Sequence, residues 1–473
     1  MLAQLLQRDF MLKSMQKLTQ ALQEQANQYR ARDETVLKLM EKHEVSLADI
    51  KKAAAELEAA SLREAVRAGE AMDTEVFFPR DAVIGLAQSA LQEFCDNKKK
   101  KRFISDRPRA AGELENIGVT NVQMDENLAS FLSGEAPPRG LWKRYELLDI
   151  GWANCLMAIG LRKMFKRYPF NEEPARPVQI SNRARVVLVG DWGSGLPRAE
   201  RVSERIREAL TDPKAKSRDK HVIHLGDVYY SGLPREYENN FLKYWPVRTS
   251  EANRISSRTL NANHDMYSGG WGYFDYVLNG DRRFQSQKDK NGKPSSFFSL
   301  ENDHWLILGL DTGYHENLIF DAHDLYGGQA AWVTEKLRAA PTKNGILLSH
   351  HQPFSVFENG GKKLIEKLAD PLHSDRVRAW FWGHEHRCVL YQSRENIEYP
   401  RCIGHGGVPF YQSNKKLPFG VTYEYQEGFR DFVEKWNYFG FAVLDFEGTN
   451  IHVSYINERG SIHYEETMTK AVR

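Results

Sequence analysis

Side chains that bind metal ions recur at five places in the second half of this 473-residue sequence. They are Asp191 in VLVGDWG, Asp227 and Tyr230 in HLGDVYYSGL, Asn263-His264-Asp265 in NANHDM, His350-His351 in LLSHHQPFS, and His384 and His386 in WGHEH. A single Gly-Asp pair ordinarily marks a turn, because both residues suit turn backbone. Five stations in series, each after an apolar run, exceed what turn propensity produces. Carboxylates, imidazoles and an amide oxygen together suit zinc, iron or manganese better than calcium or magnesium. Two ions sharing a bridge need about eight ligand bonds, which this set supplies. A bridging carboxylate holds two ions roughly 3.5–4 Å apart, the spacing used for hydrolytic displacement at phosphorus.

Strands must carry these residues. RARVVLVGDWG, HVIHLGD, HWLILGLDT, NGILLSHHQPF, RAWFWGHEH, RCIGHGG, FGFAVLDF and NIHVSYI are short apolar runs, several of them separated by helical stretches such as 198–210 and 329–339. That alternation predicts an α/β domain with its chemistry at the C-terminal ends of strands. The texture changes at Pro174–Pro177, and a boundary near residue 180 divides the chain into 1–180 and 181–473.

The first part reads as helical. Leu2, Leu5, Leu6, Met11, Met15, Leu18 and Leu22 recur at three- and four-residue steps, the stripe of an amphipathic helix. A second helix fits 36–42, and Ser46 with Asp49 resembles a capping box starting a third at Leu47. Lys98–Arg102 is a charge run expected in a solvated loop, and 134–140 is loop-like. Residues 146–168 read as a buried or amphipathic helix with a basic end, which also suits a membrane surface.

Bulk composition bounds the rest. Hydrophobic residues make up 41% and aromatics 11%, enough for a sizeable core. Lys plus Arg is 65 against 63 Asp plus Glu, so no general attraction to nucleic acid is expected. The four cysteines show no CxxC spacing, which argues against a disulfide framework or a thiolate zinc knuckle. The N-terminus lacks the pattern of a secretory signal, and a cytoplasmic protein is expected.

The series GDWG, GDVYY, ANHD, SHHQPFS and GHEH resembles the calcineurin-like metallophosphoesterases, and more closely their purple acid phosphatase branch, over about residues 184–465. Many members begin with Asp-x-His; here Gly193 stands at the His position. In the purple acid phosphatases the missing ligand is a Tyr three residues after the bridging Asp, which corresponds to Tyr230. The resemblance implies a two-sheet αββα sandwich behind an all-helical N-terminal domain. It implies a first ion, iron, on Asp191, Asp227, Tyr230 and His386, and a second, iron, zinc or manganese, on Asp227, Asn263, His350 and His384. His264 is the implied proton donor to the leaving group, with Asp265 orienting it. His351 faces substrate or supports the ligands. Asn359 stands where the small acid phosphatases carry a substrate-contacting His, with Glu358 beside it. Tyr229 is expected to pack against the sheet, since successive strand residues point to opposite faces. His304, His315 and His323 read as surface or loop histidines, and His405 lies in a glycine-rich turn.

The implied reaction is hydrolysis of a phosphate ester by a metal-bound hydroxide. Phosphodiesterase action on nucleotides or phospholipid head groups is the alternative within enzymes. From another class, a metal-bound scaffold would use its helical part to bind a partner.

Overall fold

The computed structural model describes residues 167–315, 323–410, 412, 416–430 and 435–470, with short helical pieces at 57–62, 82–86 and 88–89 and a few single residues before them. The chain divides into two compact units, Met1–Phe165 and Lys166–Arg473. The helices expected over 2–22, 36–42 and from Leu47, the loops at 98–102 and 134–140, and the 146–168 helix lie outside the described residues except at scattered positions. Among the described residues no helix is long and apolar enough to cross a membrane.

The second unit is mixed α/β with two large sheets. Its strands are β1 (Val178–Gln179), β2 (Arg185–Val189), β3 (Lys220–His224), β4 (Ile255–Thr259), β5 (Phe298–Glu301), β6 (Trp305–Gly309), β7 (Asn344–Ser349), β8 (Val377–Trp382), β9 (Cys388–Tyr391), β10 (Tyr399–Ile403), β11 (Val421–Glu424), β12 (Gly428–Arg430), β13 (Lys435–Asn437), β14 (Gly440–Glu447), β15 (Asn450–Asn457) and β16 (Ile462–Thr469). One sheet has the order β16-β15-β14-β2-β3-β4 and the other β1-β5-β6-β7-β8-β10-β9-β11, while β12 and β13 pair separately. The run β2-β3-β4 is parallel, and so is β6-β7-β8-β10.

The period-two rule explains the layering. On β2, Val186 and Leu188 join Ile223, Ile346, Leu348, Phe381, Ala442 and Leu444 in a core drawn from both sheets. Val187 and Val189 face the other way, against Ala199, Val202, Ile206 and Leu210 of helix α1 (Pro197–Thr211). On the far side, Leu306, Leu308 and Leu347 pack with Val333 and Leu337 of helix α3 (Gln329–Ala339). Helix α2 (Asn263–Tyr267) is a short turn after β4. Helices thus pack on the outer faces of two sheets that share a core. Residues 168–180 belong to the same body: Tyr168 N donates to Gly269 O at 2.9 Å, and the Tyr314 hydroxyl donates to Tyr168 O at 2.8 Å.

Strands β4, β5, β9, β11 and β16 carry little apolar alternation in sequence, and only the fold reveals them. The arrangement has one consequence for chemistry. The loops after β2, β3, β4, β7 and β8 all leave C-terminal ends of parallel strands, so two sheets deliver their ligand-bearing turns to one place.

Candidate metal centre

These turns are conformationally demanding. Asp191, Asp227, His384 and His386 have φ of 54°, 78°, 67° and 54°. Side chains with a Cβ rarely adopt this region, and such strain concentrates at functional sites. Gly226 before Asp227 has φ of 103°, and a Cβ there would stand 2.7 Å from Ala262 Cβ and 3.0 Å from His350 Nδ1. Glycine therefore lets the β3, β4 and β7 loops meet.

One group of ligands gathers around His350. Its Nδ1 faces the Leu225 carbonyl at 3.0 Å, so that nitrogen carries the hydrogen. Its Nε2 then faces Asn263 Oδ1 at 2.9 Å, His384 Nδ1 at 3.2 Å and Asp227 Oδ1 at 3.5 Å. The Asn263 amide is oriented by its Nδ2 donating to the Tyr267 hydroxyl at 2.9 Å, which turns Oδ1 inward. Three potential donor atoms, Asn263 Oδ1, His384 Nδ1 and Asp227 Oδ1, thus surround the His350 Nε2 lone pair, an arrangement that a metal ion fits.

A second group gathers on the other side of Asp227. Asp191, Asp227 and His386 offer ligand atoms within 4.8 Å of one another. The phenol among them is that of Tyr229. Its hydroxyl donates to Asp227 Oδ2 at 2.8 Å and lies 3.2 Å from Asp191 Oδ1 and 3.1 Å from His386 Nε2. The expectation placed Tyr230 here and Tyr229 against the sheet. Alternation fails because Gly226 and Asp227 are left-handed, so the chain beyond β3 no longer follows the strand period. Tyr230 instead gives its main-chain carbonyl to His264 Nδ1 at 2.6 Å.

The electrostatics point the same way. Burial drives the Asp191 carboxyl well above the usual carboxylate range, and the neighbouring Asp227 charge adds to it. Burial alone would raise Asp227 too, but the imidazoles of His350, His264 and His386 and the Tyr229 hydroxyl hold it low. The Tyr229 phenol is pushed well up by burial and by both aspartates. Buried carboxylates beside a buried phenol are relieved either by protonation or by a bound cation. Every side chain facing these two positions is a metal donor, so the residues fit a pair of ions bridged by Asp227.

His264 is buried, with Nε2 4.0 Å from Asp227 Oδ2 and its ring between those of Tyr229 and Tyr267 at 4.5 and 4.6 Å. Asp265 does not orient it. The Asp265 carboxylate accepts from Asp227 N, Val228 N and Ala262 N at 3.3, 3.1 and 3.0 Å and from the Tyr237 hydroxyl at 2.7 Å. It ties the β3 and β4 loops together through their backbones, while the Tyr230 carbonyl sets the His264 ring.

His351 lies beside the ligands, its Nδ1 2.9 Å from Thr312 Oγ1. His323, expected at the surface, is buried and stacks on His351 with centroids 4.5 Å apart. Together with His384 these rings form a further group of potential donors. No motif surrounds His323 in sequence, so only the fold could place it. His315 is half-buried, its Nδ1 3.4 Å from Asp324 Oδ2. Asn359 is exposed and offers its carbonyl to Gln352 Nε2 at 3.1 Å, after which Gly360 and Gly361 turn the chain at positive φ. It is Glu358 that approaches the centre, with Oε2 4.0 Å from His384 Nε2. Glu385, between the two ligand histidines, is pushed up to about 7 by burial and the Glu358 charge, and Ser355 Oγ donates to it at 2.5 Å.

GAP50 of Plasmodium, described as the anchor in the inner membrane complex, aligns over 62% of this chain and 90% of its own at 13% identity and a TM-score of 0.45. Vps29 of Chaetomium thermophilum aligns over 62% and 100% at 11% identity and 0.28. A cold-active protein-tyrosine phosphatase of a Shewanella species aligns over 63% and 83% at 12% identity and 0.31. At these scores none of the three bears on function. No curated protein matches the chain in sequence. Residues 184–388 match the family model described as calcineurin-like phosphoesterase. That match supports placing this part of the chain in the calcineurin-like phosphoesterase superfamily.

Proposed function

We propose that the protein is a binuclear-metal phosphoesterase of the purple acid phosphatase type, with a phenol from Tyr229 in place of the expected Tyr230. The observation that supports it most is the convergence of acceptor atoms on both sides of Asp227. Asp191, Asp227, Tyr229 and His386 would hold the first ion, and Asp227, Asn263, His350 and His384 the second. The phenol suits ferric iron at the first position; iron, zinc or manganese suits the second. Bound there, the ions supply an activated water and neutralise charge on the phosphoryl oxygens.

The chain's own groups do the rest. His264 keeps Nδ1–H on the Tyr230 carbonyl, so its Nε2 is the nitrogen that, in the imidazolium form, would give a proton to the leaving oxygen and be left with a lone pair. His323 and His351 present imidazole edges beside His384, where they can donate to phosphoryl oxygens in the role that the family resemblance implied for the position of Asn359. Burial of the whole constellation strengthens each of these interactions by lowering the local dielectric.

Asp227→Asn tests the reading. A neutral amide cannot balance two cations, so metal analysis should show both ions lost or depleted. Two ions still bound per chain would contradict the assignment. With the wild-type protein, turnover of an aryl phosphate monoester against an aryl diester ranks the ester classes. No turnover of either, with both ions bound, would favour a scaffold over an enzyme.

A further inference from the structure

A second cluster of soft donors lies beside the centre and takes no part in it. Cys388, His405 and His463 each offer one ligand atom, all within 4.8 Å of one another. Cys388 opens β9 two residues after His386, His405 sits in the turn after β10, and His463 lies on β16. Two sheets therefore contribute to one spot.

The histidines are poised for a ligand. His405 is only 4% exposed, and neither of its ring nitrogens has a hydrogen-bond partner. The Ile403 carbonyl lies alongside the ring without reaching hydrogen-bond geometry. His463 commits Nδ1 to the Tyr423 hydroxyl at 3.0 Å, and Tyr425 stacks on its ring at 3.8 Å. That fixes the ring and leaves Nε2, buried and without a hydrogen bond, as the coordinating nitrogen. The Cys388 thiol is buried and free of any disulfide. Burying imidazole nitrogens without partners is costly, so their persistence in one place calls for an occupant. A small pocket lined by Cys388, His405, Tyr425 and Asn437 adjoins the cluster.

We propose that Cys388, His405 and His463 bind a single zinc-class divalent ion, separate from the Asp227 pair, with solvent as the fourth ligand. One thiolate and two imidazoles are a tetrahedral, borderline-soft donor set. A filled site brings such donors to about 3.3–3.7 Å from one another, so the ion draws the three side chains inward. Because Cys388 follows His386 so closely, the ion clamps the β8–β9 loop that carries His384 and His386 onto β16 of the other sheet.

Cobalt(II) loading of the chelator-stripped, full-length protein tests this. A thiolate ligand gives cobalt an intense near-ultraviolet charge-transfer band, which oxygen and nitrogen donors at the Asp227 pair cannot produce. The wild-type protein should develop that band, saturating at one cobalt per chain in addition to the pair. Cys388→Ser should lose it, Cys402→Ser should keep it, and His463→Gln should raise by at least tenfold the cobalt needed to half-saturate it. A fully loaded wild-type protein without the band overturns the proposal, whether or not the variants fold. So does a band that survives Cys388→Ser and disappears in Cys402→Ser. Since the readout is the thiolate band, it stands apart from any failure of the phosphoesterase reading.

Discussion

The Tyr229 hydroxyl lies 2.8 Å from the Asp227 carboxylate, although Tyr229 is only two positions along the chain. An extended strand would present residues at that spacing on one face without letting their polar ends converge on the same point. Left-handed backbone at Gly226 and Asp227 folds the segment back, and the phenol reaches Asp191 and His386 as well. The turn therefore decides which phenol stands beside the two aspartates.

That assignment makes a spectroscopic prediction. With iron loaded under oxidising conditions, phenolate-to-iron charge transfer should give a visible band. Tyr229→Phe should abolish it, and Tyr230→Phe, which leaves the carbonyl used by His264 in place, should retain it. Loss of colour in Tyr230→Phe with Tyr229→Phe still coloured would return the ligand role to Tyr230.

His264→Ala should leave the metal content unchanged and lower turnover by roughly 10²–10⁴, the usual contribution of a general acid. The fall should be steepest for alkyl esters, whose leaving oxygens need the proton most, and shallow for activated aryl esters. A uniform loss across leaving groups would assign His264 to charge stabilisation instead.

Asp265 should matter to stability before it matters to chemistry. Asp265→Asn turns an amide N–H₂ toward backbone donors that now share one carboxylate, and should cost about 2–4 kcal/mol by orphaning one or two of them. The chemical denaturation midpoint should fall while turnover per folded, metal-loaded molecule stays near wild type. A collapse in turnover at unchanged midpoint would mean that Asp265 orients His264 after all.

Much of the centre was legible because ligand residues sit in short motifs at strand ends. Asp191, Asp227, Asn263, His350, His384 and His386, each in such a motif, lie close together in the fold. Apart from β4 before Asn263, the strands that bear them are short apolar runs, and helices 198–210 and 329–339 declared themselves by periodicity. What was missed depends on backbone geometry or on distance along the chain. Tyr229 and Tyr230 are chemically identical neighbours, separable only by the turn that precedes them. Asp265 looks like a partner for His264 in sequence, yet three backbone N–H groups claim its carboxylate. His323 and the Cys388–His405–His463 group bring together residues with no local motif, so no sequence spacing announces them.

Anomalous diffraction from crystals of the metal-loaded, full-length protein tests the central claim most directly. The account predicts two strong peaks about 3.5–4 Å apart with the Asp227 carboxylate between them. One should be bounded by Asp191, Tyr229 and His386, and the other by Asn263, His350 and His384. A single peak, or none between Asp227 and His350, would contradict a binuclear centre bridged by Asp227.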